Sequence, residues 1–153
     1  MATSILLSQL ILLLFLPCFA APSSAITTKR QPGFLYSRTS SGRCTPQFWS
    51  SGREAWPRMI PQTSTVLNVF GSRAFERYRP DMTLLESTAM NKDSNVFDEL
   101  LEQASAALLN SYARKGFPYS AWEVKTLMIQ GLVSEDAAAR LTKQFSVAND
   151  ACY

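Results

Sequence analysis

Arginines threaded between aromatic rings are the one pattern in this 153-residue chain whose residue types and spacing suggest a chemistry. Arg53, Arg58, Arg73, Arg77 and Arg79 are interleaved with Phe48, Trp49, Trp56, Phe70, Phe75 and Tyr78. Guanidinium groups pair with anions and lie flat on rings, and an exposed ring can cover the apolar face of a sugar, so the pattern suits a polyanion or a saccharide surface. The formal charge of +3 is unevenly placed. From Ile26 to Pro80 there are nine Lys/Arg against two acids, a net of +7; from Asp81 to Tyr153 there are six against ten, a net of −4. The five arginines are therefore the expected polyanion-binding residues, and Trp56, followed by Pro57, is the expected stacking ring. Trp49 and Trp122 are expected in the core or at a helix interface. The competing expectation for Arg73–Arg79 is pairing within the domain with the acids at Asp98–Glu102.

Catalytic chemistry is poorly supplied. The chain has no histidine, which removes Ser-His-Asp and Cys-His nucleophiles, histidine zinc sites and the imidazole acid–base step. The six glycines are scattered and form no phosphate-cradling loop, and no motif points to a Ser–Lys pair. Carboxylates remain. Asp98 and Glu102 lie four apart on one helical face, and Glu135 and Asp136 open another helix. Glycoside hydrolysis needs two carboxyls facing each other across a cleft, about 5–9.5 Å apart. Acids on one helix beside an apolar stripe are instead expected to form a solvated face that gains from the helix dipole. No catalytic residue, metal site or cofactor is expected, and the chain reads as a non-enzyme.

Residues 1–25 carry no charged side chain, and Ile5–Phe19 is mostly Leu, Ile and Phe, about the length of a signal-peptide core. Small residues follow, placing cleavage after Ala25, with Ala20 as the alternative. A retained anchor is disfavoured because the run is short of the ~20 apolar residues a span requires and contains Pro17. No retention tetrapeptide or lipid-anchor tail follows Asn149. The expected destination is outside the cell, with no membrane span once the signal is removed. Cys18 would leave with the signal, so Cys44 and Cys152 remain, and an oxidising compartment favours a disulfide between them. Two free thiols or an intermolecular bridge are the alternatives.

Residues 26–43, rich in Ser, Thr and basic residues, read as a flexible tail containing a dibasic pair, Lys29-Arg30, and residues 44–153 read as one helical domain. Thr45-Pro46 is a helix start. Ser64–Phe70 is a short helix stopped by Gly71, and Thr83-Leu-Leu-Glu86 is a capping box opening a helix to Met90. Three helices follow. The first is capped at Ser94 or Asn95, with apolar positions Phe97, Leu100, Leu101, Ala104, Ala107, Leu108 and 111/112, and ends at a left-handed Gly116. The second opens on the capping box Ser120–Glu123 and ends at Gly131. The third runs from Ser134 through Leu141 and Phe145 to Ala148. Strand signals are sparse. The fold class is all-α: three carboxy-terminal helices with an irregular amino-terminal third, closed by one disulfide.

Cys44-Thr-Pro-Gln-Phe-Trp49, Leu84–Glu86, Ala106-Ala-Leu-Leu-Asn-Ser-Tyr112, Phe117-Pro-Tyr-Ser120 and the terminal Phe145…Ala148-Asn149 together resemble the carboxy-terminal domain of the protodermal factor family, secreted plant proteins of the epidermal wall. The similarity covers roughly Cys44 to Cys152. The family carries a long Pro/Ser/Thr repeat before this domain, and here only Ile26–Arg43 stands in its place, so anchoring that depends on the repeat would not carry over. The resemblance implies a non-enzymatic cell-wall or apoplast protein with a role in surface-tissue development, and it brings no catalytic residues. Outside a plant cell the abundant polyanion is pectin, so acidic wall polysaccharide or an extracellular protein is the expected partner, and nucleic acid is not. The alternative function is carriage of a lipid or cutin precursor in an interhelical cavity lined by Phe97, Leu101, Leu108, Trp122, Leu127, Leu141 and Phe145.

Overall fold

The computed structural model describes residues 42–90 and 95–152. The expected signal peptide, most of the tail, Cys18 and Lys29-Arg30 lie outside the described residues. Six α-helices and one 3-10 helix make up the regular structure among them: α1 (Pro46–Ser50), α2 (Val66–Phe70), the 3-10 helix (Ser72–Glu76), α3 (Leu84–Thr88), α4 (Val96–Ala113), α5 (Ala121–Gly131) and α6 (Glu135–Asp150). The all-helical architecture is as the sequence predicts.

Each α-helix starts where a side chain can take up the orphan amide protons of its first turn. Thr45, Thr65, Thr83, Asn95, Ser120 and Ser134 are the six N-caps. Both expected capping boxes form: Glu86 Oε2 accepts from the Thr83 amide and Glu123 Oε2 from the Ser120 amide, each at 2.7 Å. These backbone hydrogen bonds hold both carboxyls below the usual carboxylate range. The caps of α2 and α3 also meet. Thr65 and Thr83 form an isolated antiparallel bridge, with Val66 N donating to Met82 O and Leu84 N to Ser64 O. Two five-residue helices, too short to persist alone, thus start from a common anchor. α3 is shorter than expected, ending at Thr88 rather than Met90.

α4 is the axis of the domain: α6, α5, α3 and α1 all pack on it. The sequence predicts one buried stripe, but every residue from Ala104 to Asn110 is buried. Small residues at Ala104, Ser105, Ala106 and Ala107 let neighbours approach on several sides, so the helix is enclosed rather than amphipathic. Glu102, expected on a solvated face, is only 6% exposed and accepts a hydrogen bond from Gln47 Nε2 at 2.9 Å. Tyr112, expected on the buried face, is exposed.

Gly116, expected to end this helix, instead lies beyond it: α4 stops at Ala113 with Arg114 extended as its C-cap, and Gly116, at φ +85°, takes the left-handed position of the turn in which Phe117 N donates to the Arg114 carbonyl. Gly131 serves packing instead. A Cβ there would collide with Leu100 Cδ2 and come within 3.2 Å of Leu141 Cδ1. Gly131→Ala should therefore lower stability by about 1–2 kcal/mol, overpacking outweighing the gain in helix propensity. A urea midpoint equal to or above that of the parent protein would show that α4 and α5 have room to part.

The clasp forms as expected: Cys44 and Cys152 are bonded, with their Cα atoms 5.9 Å apart across 108 residues of sequence.

Candidate functional site

The motif residues of the sequence converge on one buried polar knot beneath the disulfide. Trp49 is 1% exposed, and its indole Nε1 donates to Asn110 Oδ1 at 2.8 Å. Asn110 Nδ2 donates to the Cys44 carbonyl at 2.7 Å and to Asn149 Oδ1 at 2.8 Å. Asn149 Nδ2 in turn donates to Gln103 O and Oε1. Asn110 and Asn149 are both fully buried. Trp49 belongs to the core, as expected, and the knot joins α1, α4 and α6 at the point where the disulfide joins the chain ends.

Above the knot lies an ionic clamp that sequence spacing does not disclose. Arg114 binds Glu54 through both oxygens, at 2.6 and 2.9 Å, and Arg43 reaches the same carboxylate at 3.0 Å. Hydrogen bonds from Arg114 hold the Glu54 carboxyl below its usual range, with Arg43 adding to the effect and desolvation opposing it. Arg114 Nη2 also donates to the Arg43 carbonyl, and its guanidinium lies 5.2 Å from the Trp49 ring centre. Arg43, placed by the sequence at the end of a tail, is thus fixed to the folded domain.

The five candidate arginines divide by environment. Arg53, Arg58 and Arg73 are exposed, and among the described residues none of them enters a salt bridge. Arg77 lies 3.8 Å over the Phe97 ring and donates to the Leu132 carbonyl, so it ties the end of the 3-10 helix to α4 and α5. Arg79 pairs with Asp81 at 3.9 Å, both side chains well exposed. Beside them, Tyr78 is buried and donates to the Phe97 carbonyl at 2.6 Å; burial pushes its phenol well above the ordinary range. Trp56 is half-buried, packed edge-on against Trp49 at 6.5 Å, and its indole donates to the Trp49 carbonyl.

Trp122 overturns the expectation of burial. It is 76% exposed, the joint most exposed large apolar side chain among the described residues with Met59. The buried side of α5 is Val124, Met128 and Gly131. Trp122, Lys125, Thr126 and Ile129 follow the i, i+3, i+4, i+7 stripe of the other side, a spacing readable in the sequence. With Asn68–Gly71 of α2 and its cap, and Gln130, they line an open groove of about 510 Å³. Trp122 is therefore not a wall of an interhelical cavity, and Phe97, Leu101, Leu108 and Phe145 from the same proposed lining are buried in the packed core.

No helix among the described residues is long and apolar enough to cross a membrane, and no group of three His, Cys, Asp or Glu that could hold a metal is found among them. These features define a small, disulfide-clasped helical domain built around one enclosed helix. A family model described as the protodermal factor 1 C-terminal domain matches residues 44–153, and the chain belongs to that family. No curated protein and no solved structure matches the chain.

Proposed function

We propose that this chain is a secreted, non-enzymatic protein of the plant cell wall or apoplast, acting in surface tissue, that docks on acidic wall polysaccharide through its basic amino-terminal half. The observation that carries the reading is the exposure of Arg53, Arg58 and Arg73 without a salt-bridge partner among the described residues. A guanidinium that is not neutralised within its own fold is available to a polyanion. Membership of the protodermal factor family supports the wall as the setting, and the disulfide suits an oxidising compartment. Pectin is the abundant polyanion there.

Co-sedimentation with polygalacturonate and with a neutral glucan, at low and high salt, tests the reading. The protein should pellet with the polyanion alone and be released at high salt, because exposed charges are screened within about 10 Å at 0.1 M ionic strength. Replacing Arg53, Arg58 and Arg73 together by Gln should weaken pelleting by roughly tenfold while leaving the melting temperature unchanged. Salt-independent pelleting, equal pelleting with the glucan, or none at all would reject docking through these arginines.

A further inference from the structure

We propose that the groove between α2 and α5 is a saccharide subsite that takes a uronic acid residue, with Trp122 as its stacking platform and Lys125 as the counter-ion of the sugar carboxylate. The proposal rests on the polysaccharide reading above and assigns it a second, shape-selective contact.

The groove has the amphipathic character of a sugar ring. Its floor is narrow: Phe70 is buried, Val69 and Ile129 are half-buried, and Trp122 is the one large apolar side chain of the lining that stands fully exposed. A docked helix would need a row of anchoring pockets at successive turns, whereas a pyranose needs one flat ring against its C–H face. Polar groups rim that ring. The side chains of Asn68, Lys125, Thr126 and Gln130 make no hydrogen bond or ion pair among the described residues, so their donors are available to hydroxyls and a carboxylate. Lys125 lies one helical turn beyond Trp122 on the same stripe, so its ammonium can meet a carboxylate at the edge of a sugar stacked on the indole. The sign of the charge selects an acidic sugar over a neutral one. Arg73, exposed and in no salt bridge among the described residues, follows Gly71 of the groove wall by two residues, so a chain of uronates leaving the groove there would meet a further cation.

The three indoles make the test direct. Trp49 and Trp56 have their N–H groups engaged within the protein, and Trp122 is the exposed one. In a ¹⁵N-resolved titration of the purified protein with trigalacturonate and with a neutral glucan trisaccharide, the Trp122 indole resonance, assigned with Trp122→Phe, should move saturably with the acidic sugar only. Trp122→Ala should weaken trigalacturonate binding by about tenfold, and Lys125→Gln should erase the preference for the acidic sugar. A stationary Trp122 resonance in protein that still pellets with polygalacturonate in a salt-dependent way would overturn the subsite and leave arginine docking intact. Movement of that resonance in protein that does not pellet through its arginines would support the subsite and reject the docking. An equal response to the neutral trisaccharide would remove the uronate assignment. Broadening of the resonance with protein concentration alone would show instead that a second copy of the chain covers this face.

Discussion

Asn110→Leu should destabilise the domain by about 4 kcal/mol, although leucine has the same heavy-atom branching as asparagine and suits a helix of high apolar content. The substitution removes three hydrogen bonds at once: those to the Trp49 indole, the Cys44 carbonyl and Asn149 Oδ1. Each abandoned group is buried and cannot recruit bulk water, and an unsatisfied buried donor or acceptor costs about 1–3 kcal/mol. Leucine leaves little void, so the loss would come from unpaired polar groups rather than from a cavity. Asn110→Asp is expected to be no better, because it keeps the acceptor for Trp49 but loses both donated bonds and buries a charge. Urea unfolding followed by tryptophan fluorescence reads the effect. A loss under about 1 kcal/mol would mean that water enters the knot or that α1 lifts away at little cost.

Replacing Cys44 and Cys152 together by Ser should lower stability by a similar amount, about 4 kcal/mol, because the bond closes a loop across 108 residues and so restricts the unfolded chain strongly. The reducing agent dithiothreitol should reproduce the shift in the parent protein and leave the double variant unmoved. The two perturbations should also couple. Asn110 holds the backbone carbonyl of Cys44 itself, so once the clasp is opened and this segment can leave, Asn110→Leu should cost about 1 kcal/mol less than it does in the clasped protein. Full additivity would show that the segment stays docked through the Arg43–Glu54–Arg114 clamp without the disulfide.

Most of the helical plan is legible in the sequence because it depends on local chemistry. A Thr or Ser followed three residues later by Glu satisfies the same amides whatever surrounds it, and both boxes form at the expected residues. Gly116 takes the positive φ expected of it for an equally local reason, although it serves the turn after α4 and not the helix end itself. The pairing of Cys44 with Cys152 is what cysteine arithmetic leaves once Cys18 is set aside with the expected signal peptide, and the bond is present. Burial is the less legible part, because it depends on how many neighbours an element acquires. The periodicity of α4 shows one apolar face, but not that several helices enclose it, so Glu102 reads as a solvated position when it is an interior one, and Ser105 and Asn110, outside the expected apolar stripe, are buried as well. Asn110 carries a faint signal, a lone amide ending the run Ala106–Leu109. Trp122 is the opposite case. Its aromatic type argues for the core, while its register relative to Val124 and Met128 places it outside, and register proves the better guide. The bidentate grip of Arg114 on Glu54 joins residues 60 apart, and neither spacing nor composition suggests that pair. The candidate arginines show the same divide: among the described residues Arg53, Arg58 and Arg73 are exposed and enter no salt bridge, and Arg77 is drawn onto Phe97 by packing invisible to a linear reading.

The position of the clasp has a mechanical consequence. A load applied to the domain at residues 44 and 152 passes directly through the covalent S–S bond, whose attachment points are 5.9 Å apart. The helices between them lie outside the path of the force. Pulled at those two points, the domain behaves as a link of fixed length: it transmits tension without unravelling, and its exposed arginines and the Trp122 groove keep their shape under stress.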